Sequence, residues 1–99
     1  MIINVNKEKI NWLIKQKQNF IVCTYYLDSY STFYTSKLNK ELKKEKQDIY
    51  YLNVEEFMKL FNLNKRIFPI FCIFINGKLK WKTCGFIKIN ELNNYLLEK

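Results

Sequence analysis

The sequence has no histidine and no alanine, and among its 99 residues it has one proline, two glycines and one arginine. Without histidine, a zinc site would have to be built from cysteines. The three cysteines, Cys23, Cys72 and Cys84, are widely spaced and include no Cys-x-x-Cys pair. They cannot supply the four nitrogen or sulfur ligands of a structural zinc site. We therefore expect no metal and no cofactor, and we interpret all three cysteines as buried strand thiols that act as small hydrophobes.

Long hydrophobic runs are also absent. The longest apolar run, Ile70 to Ile75, is far too short to cross a bilayer. The first residues, MIINVNKEK, have no apolar segment behind a basic start, so a secretory signal is not expected. Hydrophobic residues at 48% and aromatic residues at 17% argue against disorder. The sequence predicts one domain over residues 1–99 with no membrane segment, and a cytoplasmic location is the default.

The formal net charge of +8 would ordinarily suggest a nucleic acid or an anionic membrane as partner. Here the charge comes almost entirely from lysines scattered along the chain. The densest run lies on one predicted helix and consists of Lys37, Lys40, Lys43, Lys44 and Lys46. The abundance of Lys, Asn, Ile, Tyr and Phe is typical of an AT-rich genome. Since arginine forks for base edges and a recognised motif are both missing, we do not expect nucleic-acid binding.

The most informative stretch runs from Ile67 to Trp81. Bulky apolar residues from Pro69 to Ile75 predict a buried strand, with Pro69 at its start, where the missing N–H is tolerated. Asn76-Gly77 follows and favours a type I′ hairpin turn, because both central residues of that turn need a positive φ. Lysines then alternate with Leu79, Trp81 and Thr83, which indicates a half-exposed edge strand.

The rest of the chain alternates strands and helices. A short strand from Ile2 precedes a helix capped by Asn6, and a buried strand at Phe20–Tyr26 is predicted in the sheet centre. A helix at about Tyr30–Lys46, capped by Asp28 or Ser29, has Phe33 or Tyr34 on its inner face. A strand at Asp48–Val54, a helix at Glu55–Asn62 and a last amphipathic helix around Leu92 complete the order. The order βαβαβαββα predicts an α/β protein, with a mixed central sheet flanked by helices on both faces.

The second half of the chain resembles the thioredoxin family. The matching residues, in family order and spacing, are Leu52-Asn53-Val54, Phe68-Pro69, Phe74-Ile75-Asn76-Gly77, Gly85 and Leu92 to Leu96. The fit extends upstream through Phe20-Ile21-Val22, and only the first strand and helix match merely in kind. The resemblance implies the thioredoxin fold, with a cis bond before Pro69.

The same resemblance implies a degenerate active site. The family's reactive Cys-Gly-Pro-Cys falls on Ser29-Tyr30-Ser31-Thr32. Dithiol chemistry needs a thiolate at the helix N-terminus and a second thiol to resolve the mixed disulfide, and hydroxyl groups supply neither. The family's buried aspartate falls on Cys23, its lysine partner on Tyr51, and the tryptophan before the first cysteine on Asp28. We therefore expect no catalytic residues of the disulfide-exchange type.

What the resemblance leaves is a peptide-binding groove. Its residues would be Phe68, Pro69, Ser29, Tyr30 and Asp28, with an aromatic surface added by Tyr25 or Tyr26 and by Phe33. The leading hypothesis is a non-catalytic module that binds a protein or peptide by strand addition.

Two redox alternatives stay open at this point. In the first, the hydroxyl of Ser29 or Tyr30 would hold the thiolate of a small thiol such as glutathione. In the second, the redox role would move to Cys23, Cys72 or Cys84. A bridge between Cys23 and Cys72, which lie on neighbouring strands in the family's sheet, requires Cα atoms within about 7 Å of each other.

Overall fold

A computed structural model of the chain describes residues 1–26, 29–63 and 68–97, without the side chains at positions 29–31, 89, 96 and 97. The strands are β1 (Ile2–Asn4), β2 (Phe20–Thr24), β3 (Ile49–Tyr51), β4 (Ile70–Ile75) and β5 (Lys78–Cys84). The helices are α1 (Lys7–Lys15), α2 (Ser29–Lys44), α3 (Val54–Phe61) and α4 (Ile89–Leu97). Their order along the chain is the predicted βαβαβαββα. In the part of the chain so described, no helix has the length and apolar character needed to cross a membrane.

The strands form one mixed sheet in the order β1-β3-β2-β4-β5. The first three are parallel, whereas β4 is antiparallel to both of its neighbours. Every residue of β2 is buried, which confirms its predicted place in the sheet centre. The β3 ladder is shorter than predicted because Asn53 leaves it to cap α3, where its side chain accepts a hydrogen bond from the Glu56 amide at 2.9 Å.

Helices cover both faces of the sheet, as the sequence predicts. Alternation along β2 and β4 directs successive side chains to opposite faces and divides the core into two clusters. On one face, α2 and α4 pack against the sheet, and the buried residues include Ile21, Cys23, Phe71, Ile73, Leu38, Leu42 and Leu92. On the other face, α1 and α3 cover a cluster that includes Phe20, Val22, Cys72, Phe74, Ile10, Leu13 and Phe57.

Helix ends are closed without glycine. The Asn6 side chain caps α1 by accepting a hydrogen bond from the Lys9 amide at 3.0 Å, as predicted. Lys17, Lys46 and Asn62 take left-handed conformations after α1, α2 and α3, with φ values of 54°, 53° and 51°. In each case the next amide donates to a carbonyl five residues back, which is the pattern of a Schellman cap.

The hairpin between β4 and β5 forms at the predicted place. Asn76 and Gly77 have φ values of 54° and 75°, as a type I′ turn requires. The strand pairs Ile73–Trp81 and Phe74–Leu79 leave Lys80 unopposed, so β5 contains a bulge at this residue. As predicted, β5 lies at the sheet edge and its lysines are exposed.

The turn of this hairpin is fastened to the end of α1. The Gly77 amide donates to the Gln18 carbonyl at 3.0 Å, and the Asn76 amide donates to Asn19 Oδ1 at 2.8 Å. A Cβ on Gly77 would overlap the Ile14 carbonyl oxygen and would lie 3.0 Å from the Lys17 Cα. Close backbone approach and a positive φ therefore both require glycine here.

We predict that Gly77→Ala lowers the free energy of unfolding by more than about 2 kcal/mol, because it combines a left-handed backbone penalty with overpacking. Gly85→Ala is the matched control. Its φ is also positive, at 92°, but nothing lies within 4 Å of the position that its Cβ would take, so the loss should be limited to about 1–2 kcal/mol. Urea unfolding of both variants measures the difference, and equal losses would contradict the close-contact explanation.

Candidate functional site

Several segments of the chain meet at one end of the sheet, which we call the Pro69 end. The register places Thr24, the last residue of β2, beside Ile70, and Ile70 beside Cys84. The Gly85 amide donates to the Pro69 carbonyl at 2.9 Å. Because β4 runs antiparallel to β2 and β5, the start of β4 and the ends of both neighbours lie together there. Helix α2 begins five residues after β2 ends, so its amino end belongs to the same region.

An aromatic pair marks the surface beside Pro69. The Phe68–Pro69 peptide bond is cis, Pro69 is buried and Phe68 is half-buried. The rings of Phe68 and Tyr26 meet edge to face, with centroids 4.6 Å apart. Tyr26 is 54% exposed, whereas Tyr25 belongs to the core. Of the two tyrosines named from the sequence, Tyr26 is therefore the one on the surface.

Two more exposed aromatic residues belong to segments that meet at the Pro69 end. Phe33, in the second turn of α2, is 77% exposed, and Phe86, directly after Gly85, is 56% exposed. We call Tyr26, Phe33, Phe68 and Phe86 the aromatic surface. Phe86 was not predicted from the sequence. Its one signal was its position after a glycine, between an edge strand and a helix.

Tyr34 ties the loop that carries Phe86 to α2. Its hydroxyl donates to the Ile87 carbonyl at 2.6 Å and accepts from the Ile87 amide at 3.0 Å. The centroid of the Tyr34 ring lies 4.7 Å from the centroid of the Phe86 ring. Burial raises the pKa of Tyr34 to about 12, so near neutral pH the hydroxyl keeps the proton that this pair of bonds requires. Tyr34 is thus the inward residue that the sequence left open between Phe33 and Tyr34.

The predicted degenerate motif, Ser29 to Thr32, and the preceding Asp28 are described by the structure only in part. Asp28 lies outside the described residues. Ser29, Tyr30 and Ser31 begin α2, and their side chains lie outside the description as well. Thr32 is described and has an exposed side chain. The backbone of positions 29–32 forms the first turn of α2.

Cys23 and Tyr51 are direct partners in the parallel pairing of β2 and β3. Cys23 is fully buried, and burial raises the pKa of its thiol above the ordinary value. Burial also raises the pKa of Tyr51, whose hydroxyl donates to the Tyr25 carbonyl at 3.3 Å. Both groups are consequently neutral at pH 7. These are the positions on which the family's buried aspartate and its lysine partner fall. Neither the neutral thiol nor the neutral phenol can act there as a base in the way a carboxylate does.

A bridge between Cys23 and Cys72 is ruled out by the register. Cys23 lies opposite Phe71, and Cys72 lies opposite Val22. Neighbouring positions on a strand point to opposite faces, so the two thiols belong to different core clusters. The alternative of a bridge between these two cysteines is therefore excluded. Burial also raises the pKa of Cys72, to about 12, despite the nearby Lys82.

The prediction that all three cysteines are buried is wrong for Cys84, which is exposed. Cys84 ends the edge strand and shares a face with Lys82, which is also exposed. On the opposite face of β5, Trp81 packs against Tyr95 of α4 with ring centroids 5.4 Å apart. Helix α4 therefore covers the Trp81 face of this edge strand, whereas Lys82 and Cys84 on the other face are exposed. Among the described residues, no group of three or more Cys, Asp or Glu side chains could hold a metal ion.

Comparisons with known proteins identify the fold. No protein-family model matches the sequence, and the search of curated proteins finds no match. Mitochondrial thioredoxin 3 of Saccharomyces cerevisiae is 18% identical with a TM-score of 0.71, covering 99% of this chain and 95% of its own. Plasmodium falciparum thioredoxin is 14% identical with a TM-score of 0.70, covering 97% of both chains. A chain of the complex of ferredoxin:thioredoxin reductase with thioredoxin f2 is 16% identical with a TM-score of 0.70, covering 95% and 91%. The chain therefore has the thioredoxin fold, which confirms the predicted fold class.

We predict that one thiol of the folded protein reacts with Ellman's reagent at neutral pH, because Cys84 is exposed whereas Cys23 and Cys72 are buried. All three should react in denaturant. Cys84→Ser should abolish the native reaction and leave two thiols after unfolding. Rapid reaction of a second thiol in the folded state would contradict the burial of Cys23 and Cys72.

Proposed function

We propose that this thioredoxin-fold protein is a non-catalytic module that binds a protein or peptide segment at the Pro69 end. The observation that carries the proposal is the exposure of aromatic side chains there. Of the six large hydrophobic side chains that are exposed among the described residues, three belong to the aromatic surface, namely Tyr26, Phe33 and Phe86. Exposed apolar groups gathered on one region of a protein often mark an interaction site.

The chemistry of the available groups argues against dithiol exchange. The helix positions that match the family's reactive cysteines carry Ser29 and Thr32, whose hydroxyls cannot form a disulfide. The two buried cysteines lie on opposite faces of the sheet, and Cys84 is paired with Ile70 rather than with a cysteine. The names of the similar solved structures describe redox proteins, but the groups that this chain offers support binding.

Strand addition is the mode of binding that we propose. Ile70 is the first residue of β4 that pairs with β2 and β5, so the backbone of Phe68 precedes the paired part of the strand. An extended peptide could pair with this backbone and place alternate side chains against Tyr26 and Phe86. The Tyr34–Ile87 hydrogen bonds hold Phe86 in place before the partner arrives, which lowers the entropy that binding must remove.

We predict that the wild-type protein does not reduce insulin disulfides in a dithiol-coupled assay. The variant Ser29→Cys/Thr32→Cys should gain activity, because it restores a nucleophile at the helix start and a resolving thiol one turn later. Ser29→Cys alone is the control and should stay inactive, since it cannot resolve a mixed disulfide. Turnover by the wild type that is lost in Cys84→Ser would contradict the proposal.

We predict that peptides selected from a random phage-displayed library on the wild-type protein lose affinity by about tenfold or more in Tyr26→Ala and Phe68→Ala, since exposed aromatic anchors usually dominate such interfaces. Trp12→Ala is the matched control, because Trp12 is 50% exposed but belongs to α1, away from the Pro69 end. Fluorescence titration measures the affinities.

Equal losses in all three variants would contradict binding at the Pro69 end. Glutathione serves as a further control in the same experiment. It should leave the melting temperature unchanged and should not displace the selected peptides, whereas displacement would favour the thiol-dependent alternative.

A further inference from the structure

We propose that the segment bound at the Pro69 end is acidic, and that its carboxylates run along a stripe of lysines on α2. This inference rests on the proposed function and adds the chemical class of the partner. The partner would have an apolar residue that contacts the aromatic surface, followed by several Asp or Glu residues.

The stripe begins at the aromatic surface itself. Phe33, Lys37, Lys40 and Lys44 are separated by four, three and four residues along α2. At 3.6 residues per turn these positions fall within an arc of about 60° on the helix surface. All four side chains are exposed. A single line of side chains therefore leads from an apolar contact point to three positive charges.

Within the described part of the fold, the lysines of the stripe form no ion pair. The ion pairs found there are Met1–Asp48 and Lys59–Glu55, and neither involves α2. Lys40 has Lys37 three residues before it and Lys44 four residues after it, and like charges at that spacing repel each other. Glu41, four residues after Lys37 and three before Lys44, offsets only part of this repulsion. Carboxylates of a partner would relieve this repulsion, so charge complementarity favours an acidic ligand.

Two carboxylates define the path of such a ligand. Glu41 and Glu45 also belong to α2, and they line the groove of about 530 Å³ beside the segment leading into α4, together with Lys37 and Lys44 of the stripe. An acidic segment lying in this groove would meet both of them. Lys40 lies about 100° from Glu41 around the helix. The favourable path therefore follows Lys37, Lys40 and Lys44 along the Lys40 side of the groove.

The other sheet face provides a control of equal charge. Lys7, Lys9 and Lys15 lie on α1, and all three are exposed. Because α1 covers the opposite face of the sheet, these lysines are remote from the α2 stripe. Replacing either set by glutamine removes three positive charges and hardly changes helix propensity.

The experiment compares Lys37→Gln/Lys40→Gln/Lys44→Gln with Lys7→Gln/Lys9→Gln/Lys15→Gln. The probes are peptides selected from the phage library on the wild type, each with a partner peptide in which Asp and Glu are replaced by Asn and Gln. We expect the selected peptides to carry acidic residues on one side of an apolar anchor. The α2 variant should bind them roughly tenfold more weakly, and the α1 variant less than about twofold more weakly.

Two further comparisons complete the expected result. The neutral partner peptides should bind the wild type and the α2 variant alike. The difference between the acidic and neutral peptides should fade near 1 M salt, where the Debye length is about 3 Å.

Each contrary outcome has a separate meaning. Peptides that bind through Tyr26 and Phe68 but respond equally to both lysine variants would overturn the acidic class and leave the proposed function standing. Failure to select any peptide that depends on Tyr26 and Phe68 would overturn the proposed function and, with it, this inference. A single-stranded DNA oligonucleotide that binds more tightly than the peptides, and does so through the α2 lysines, would overturn the inference in favour of nucleic acid.

Discussion

The pairing of β2 with β4 is the contact on which the rest of the fold depends. Both strands are buried along their whole length, so a shift of one residue would turn every side chain to the wrong face. This register divides the core between the two helical layers. It also places Thr24 beside Ile70, and so brings the segments that carry Tyr26 and Phe68 to the same end of the sheet. The position of the candidate site therefore depends on the pairing of β2 with β4.

Much of the fold could be predicted from local patterns. The apolar run into Asn76-Gly77 and the cap at Asn6 identified elements whose signals are contained in a few residues. Facts that depend on pairing were less accessible. The faces of Cys23 and Cys72 follow from how β2 and β4 align, which the spacing along one strand does not contain. The exposure of Cys84 depends on how far the helices reach over an edge strand.

The candidate site could be predicted in part for the same reason. Its missing thiols were visible from residue identity, and Phe68-Pro69 from its place before an apolar run. Adjacent helix residues are about 100° apart, so periodicity could not decide which of Phe33 and Tyr34 faces inward. The loop that carries Phe86 is held by the bond between the Ile87 amide and the Tyr34 hydroxyl, across 53 positions of sequence. The thioredoxin fold by itself does not determine what such a site does.

The bulge at Lys80 has a consequence for association between copies of the chain. An edge strand offers unpaired amides and carbonyls that can join a second sheet edge to edge. In β5 the unopposed Lys80 interrupts the regular repeat of those groups, and lysines on either side oppose the approach of a like-charged edge. Open-ended growth of the sheet from β5 into a fibril is thereby discouraged.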